Sequence, residues 1–133
     1  MGQIADIYYD RGELDEALRI RIDEQLPVYD KLGDIRSRAV TMGYIADIYY
    51  LRGELDEALR IRIDEVLPVF DKLGAERDIL VCKANIAIVL LKRNGPGDRK
   101  EAKALLQQAL ATATKMQLPE AAAIADTIKQ TNL

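Results

Sequence analysis

Arg-Gly-Glu-Leu-Asp-Glu-Ala-Leu-Arg-Ile-Arg-Ile-Asp-Glu runs from Arg11 to Glu24 and returns unchanged from Arg52 to Glu65. Widened outward, Gly2–Gly33 and Gly43–Gly74 differ at four of 32 positions, with an offset of 41 residues. Self-similarity at such a period marks a repeat architecture, in which one unit cannot bury its apolar face alone. Within the unit, apolar residues at 4, 5, 7 and 8 group as on one helix, and Gly12 stops it. A second helix follows over Glu13–Leu32, with Leu14, Ala17, Leu18, Ile22, Val28, Tyr29 and Leu32 at steps of mostly three and four. Pro27 lies inside it and cannot donate to the carbonyl of Asp23, so a bend is expected there, and again at Pro68.

Gly33 ends this helix and Asp34 is a suitable N-cap for the next, Ile35–Arg52. Gly53 separates it from the helix Glu54–Leu73, and Gly74 closes the second unit. A divergent third copy follows: Ala84-Asn85-Ile86-Ala87 stands for Gly43-Tyr44-Ile45-Ala46, and Glu101-Ala102 stands for Glu57-Ala58. Its turn, Asn94-Gly95-Pro96-Gly97-Asp98, is three residues longer. Asp98 with Glu101 reads as a near capping box for a helix ending near Gln117. Pro119 suits the first position of a last helix, Pro119–Gln130. Seven helices are expected: three hairpins and a terminal lid, all-α.

Composition narrows the function. The chain of 133 residues is 49% apolar and 31% charged, a globular balance, with net charge −3 and no basic block to bind nucleic acid or an anionic membrane surface. The longest apolar run, Ile86–Leu91, is too short to span a bilayer, and no export signal follows Met1. A single cysteine, Cys82, fits a reducing cytoplasm and reads as core packing, with no histidine anywhere to activate it. Histidine's absence also removes the commonest general base and metal ligand. Asp23-Glu24 and Asp64-Glu65 point about 100° apart on a helix and form no acid–base pair. Gly95-Pro96-Gly97 lacks the Lys-Ser/Thr of a phosphate loop. No catalytic, cofactor or metal residue is expected.

Arg-Gly-Glu-Leu-Asp-Glu-Ala, preceded by Ala46, Tyr49 and Tyr50, resembles the turn of the tetratricopeptide repeat (TPR), in a long-helix variant with a 41-residue period. The resemblance covers nearly the whole chain. It implies a right-handed α-solenoid in one domain, 1–133, with repeats at about 1–33, 34–74 and 75–118 and a capping helix at 119–133. Met42, Ile45, Ala46 and Tyr49 would form the buried face of the first helix, with Ala58 the small contact on the second. Leu55 replaces the family's usual aromatic. Arg62 and Glu65 stand where it has a large apolar and a small residue, which shifts the expected seam onto Ile61, Ile63, Val66 and Leu67.

In this family the neighbouring face of each first helix lines a concave groove for peptides. The corresponding residues are Asp6, Tyr9 and Asp10; Asp47, Tyr50 and Leu51; and Ile88, Leu91 and Lys92. Acids beside tyrosines suit a protein segment with basic and apolar positions; alternatively the acids are merely solvated and the tyrosines half-buried packing. The pairs Ile20/Ile22 and Ile61/Ile63 lie about 200° apart, reading either as one wide apolar face or as one exposed member per pair joining an oligomer contact. The expected function is a non-catalytic protein-interaction scaffold; the alternative is a self-assembling structural or engineered repeat protein forming a homo-oligomer. The first unit differs from the second by Gln3, Asp10, Gln25 and Tyr29 in place of Tyr44, Leu51, Val66 and Phe70. It lacks an equivalent of Asp34–Thr41 before Met1. Gln3, Asp10 and Gln25 then read as a polar N-terminal cap, with Tyr44, Leu51 and Val66 partly covered.

Overall fold

The computed structural model describes residues 2–133; Met1, where the first expected repeat begins, lies outside them. Among the described residues there are helices and no strand. In order they are α1 (Gly2–Asp10), α2 (Leu14–Ile20), a π turn (Arg21–Gln25), α3 (Leu26–Leu32), α4 (Ile35–Leu51), α5 (Leu55–Ile61), a second π turn (Arg62–Val66), α6 (Leu67–Leu73), α7 (Glu76–Arg93), α8 (Asp98–Lys115) and α9 (Glu120–Gln130). Each π turn joins its flanking α segments into one rod, giving the seven expected helices. They form two compact units, one up to Val69 and the other Phe70–Leu133.

In the first unit α1 packs on α2, and α4 packs on α5. α4 also packs on α2, the first π turn and α3. Met42, Ile45, Ala46 and Ala58 are buried and Tyr49 is half-buried. The turns between paired helices hold Gly12 and Gly53 at φ 76° and 79°, in the left-handed region where a Cβ is penalised. Asp34 caps α4 by accepting the Ser37 N–H at 3.0 Å, which lowers its pKa.

The prolines act differently from a simple bend. Ahead of Pro27 the helix widens: the Leu26 N–H bonds the Arg21 carbonyl, five residues back, and Leu67 does the same with Arg62. A wider turn accommodates a residue beside a proline that can neither donate nor fit a normal turn. The extra residue turns Arg21 and Gln25, and likewise Arg62 and Val66, inward. Ile22 and Ile63 face solvent. The seam expected through Ile61, Ile63, Val66 and Leu67 is therefore corrected: Ile63 is exposed, Leu67 half-buried, and Arg62 takes the inward place. One isoleucine of each pair is exposed rather than both joining a wide apolar face. α8 has Thr112 where α6 has Pro68, and it is α-helical throughout.

In the second unit α7 packs on α8, and α8 on α9. Asp98 does not form the expected capping box. Its buried carboxylate faces back across the turn, accepting from Arg93 Nε and Nη2 and from the Gly95 N–H, each at 2.8 Å. The Arg93 bonds, then the Gly95 bond, lower its pKa to about 2. A carboxyl held below its unfolded value of about 3.9 adds stability above roughly pH 4 and loses it as pH falls toward 2. Thermal melts between pH 5 and pH 2 should therefore fall less steeply for Asp98→Asn than for the parent, although the variant starts lower. Equal slopes would show that this turn does not couple to acid unfolding.

In α9, Ile124 is buried and Ala121 and Ile128 are half-buried, while Ala122 and Ala125 are exposed. Glu120 accepts from Arg77 Nε and Nη2 at 2.7 and 2.6 Å. Cys82 is buried in α7.

Candidate protein-binding cleft

Asp6, Tyr9, Asp10 and Asp47 come together in the first unit. With Arg21, Tyr44 and Ile48 they line one cleft of about 350 Å³ between α1, the first π turn and α4. The other groove positions lie elsewhere. Tyr50 is half-buried and Leu51 exposed. In the second unit Leu91 is half-buried and Lys92 exposed, and Ile88 lines a smaller apolar crevice of about 160 Å³ with Leu80, Ala84, Leu106 and Ile124.

Sequence reasoning missed the residues that organise the cleft, Arg21 and Arg62. The π turns direct both into the interior, where a guanidinium is tolerated only with partners. Arg21 donates from Nη2 to Asp6 Oδ1 at 2.5 Å and from Nη1 to Gln25 Oε1 at 2.9 Å, and lies 4.4 Å from the Tyr44 ring centroid. Arg62 donates from Nη2 to Asp47 Oδ1. Asp6 and Asp47 are thus the counter-ions of buried arginines, not merely solvated acids. Gln25, expected on a polar outer cap, is buried as a partner of Arg21. Of the neighbours expected to be partly covered, Val66 is buried and Tyr44 and Leu51 are each about half exposed.

A signal for these pairs did exist in the sequence. Arg21 follows Asp6 by 15 residues, and Arg62 follows Asp47 by 15. In the segment read as a divergent third copy, Ile88 and Leu106 align with these two places once the three extra residues of the turn are allowed for. Both members change together from ionic to apolar, and both line the same crevice. Paired replacement is what a direct contact requires, since an apolar residue opposite a buried charge would leave it uncompensated.

Charge in the cleft is predominantly negative. Burial raises the pKa of Asp47 more than Arg62 and Arg21 lower it. Burial, Asp47 and then Asp10 raise that of the Tyr9 phenol. Among the described residues no group of three or more His, Cys, Asp or Glu is placed to hold a metal ion, and no helix is long and apolar enough to cross a membrane. No family model, curated protein or solved structure matches the chain.

Proposed function

We propose that this is a non-catalytic protein-interaction module of the TPR type, a right-handed α-solenoid of a reducing cytoplasm. It takes a peptide or helix with basic and apolar positions into the groove. The observation that carries this reading is the convergence of Asp6, Tyr9, Asp10 and Asp47 on one cleft. Tyrosine faces and carboxylates together suit a side chain with an aliphatic stem and a cationic head. Asp10 is exposed at the rim and sets attraction, while half-buried Tyr9 sets contact area. Screening a library of Lys- and Arg-bearing amphipathic peptides against the whole chain should yield binders that weaken as salt rises. Asp10→Lys and Tyr9→Ala should each reduce their affinity about tenfold, consistent with removing roughly 1.4 kcal/mol. Binders indifferent to both changes would place the site elsewhere.

A second reading, homo-oligomerisation, draws on the exposed Ile22, Ile63 and Leu32. Light scattering across protein concentration separates the two, since a monodisperse monomer excludes self-assembly.

A further inference from the structure

The turn between α7 and α8 contains Asn94-Gly95, the one Asn-Gly pair in the sequence. Asparagine is chemically labile where glycine follows, because no side chain shields the glycine nitrogen from the asparagine carboxamide. That nitrogen gives up its proton to water and bonds to Asn94 Cγ, and the carboxamide C–N bond breaks to release ammonia. Water then opens the resulting succinimide at either carbonyl, leaving aspartate or isoaspartate. The glycine that creates this lability is favoured by the turn itself. A Cβ added at Gly95 would stand 3.1 Å from Asp98 Oδ2. Asp98 is buried and held by bonds from Arg93 and Gly95, each at 2.8 Å, so its carboxylate has nowhere to yield.

Two features of the same turn oppose the reaction. Asn94 has φ 50° and ψ 42°, the left-handed conformation that ends α7, and its N–H donates to the Leu90 carbonyl at 2.8 Å. At that ψ the Gly95 nitrogen lies on the opposite side of the Cα–C bond from Asn94 Cβ, whereas ring closure needs both on the same side. The Gly95 N–H also donates to Asp98 Oδ2 at 2.8 Å. Losing that proton would set an amide anion against a carboxylate, which like-charge repulsion disfavours. Asn94 itself is exposed, so water reaches it. We infer that Asn94 is a site of spontaneous deamidation and that Asp98, holding the Gly95 N–H, is its lock. Conversion then proceeds only from the opened turn. The product carries one more negative charge, and isoaspartate adds a main-chain carbon at the residue that ends α7.

The test incubates the full chain at neutral pH beside an end-blocked peptide of residues Lys92–Arg99, and follows Asn94 by mass spectrometry of fragments. A turn open in roughly 0.1–10% of molecules makes the protein about tenfold to a thousandfold slower than the peptide. Asp98→Ala should raise the full-chain rate about tenfold, because it removes a charge-assisted bond to the reacting nitrogen. Ile124→Ala removes the buried anchor of α9 and leaves the turn's own bonds in place, so it separates local opening from general destabilisation. Its Asn94 rate should stay within about twofold of the parent's. Hydrogen exchange at the Gly95 N–H reads the same opening in the unaltered chain. Its protection should match the peptide-to-protein rate ratio within about threefold. A parent that converts as fast as the peptide overturns the inference. So does an Asp98→Ala protein no faster than the parent, or an Ile124→Ala protein as fast as Asp98→Ala. An unprotected Gly95 N–H in the parent overturns it whether or not Asp98→Ala folds.

Discussion

Asp47→Ala should destabilise the protein by about 3 kcal/mol, while Asp47→Ile combined with Arg62→Leu should recover most of that loss. Arg62 is buried in the second π turn and donates to Asp47. Removing the carboxylate leaves the guanidinium's charge in the interior, an arrangement far costlier than the absence of both groups. The double change installs the pair that the chain already uses at Ile88 and Leu106. Urea unfolding of the parent, Asp47→Ile, Arg62→Leu and the double variant gives the coupling energy directly. Additive single effects would show that Asp47 and Arg62 do not act as a unit.

Deleting residues from Pro119 onward should have a comparable or larger effect. α9 packs on α8, where Leu106 and Ala109 are buried. Ile124 is its buried anchor, and burying one such side chain contributes about 1.5–3 kcal/mol. Partial burial of Ala121 and Ile128 adds to this, as does the bond from Arg99 to the Thr131 carbonyl at 2.7 Å. The exposed Arg77–Glu120 pair adds little. A total near 4 kcal/mol lowers Tm by roughly 10 °C or more in a chain of this size. A truncated protein that melts with the parent would show that α9 does not hold the second unit together.

Helix positions, Gly12 and Gly53 in their turns, and the Asp34 cap were all legible in the sequence, because each depends on residues within one or two helical turns. The resemblance to the TPR turn likewise implied Met42, Ile45 and Ala46 inside, and they are buried. The π turns were not legible. Pro27 and Pro68 announce a disturbed helix, but whether it bends or widens depends on what the displaced residues meet. Here widening aligns Arg21 and Arg62 with carboxylates 15 residues earlier. The same dependence misplaced Gln25, a surface residue by type and a buried hydrogen-bond acceptor in fact. Asp98 was read from its neighbour Glu101, whereas its partners lie back across the turn at Arg93 and Gly95.

By itself, the sequence determined an all-helical chain and where its helices begin and end. Tertiary structure decided the fate of identical residues. Ile4 and Ile45 sit in the same hexapeptide on the same kind of helix, yet one is half exposed and the other buried. Periodicity specifies which face of a helix is apolar; only a neighbouring helix can remove that face from water.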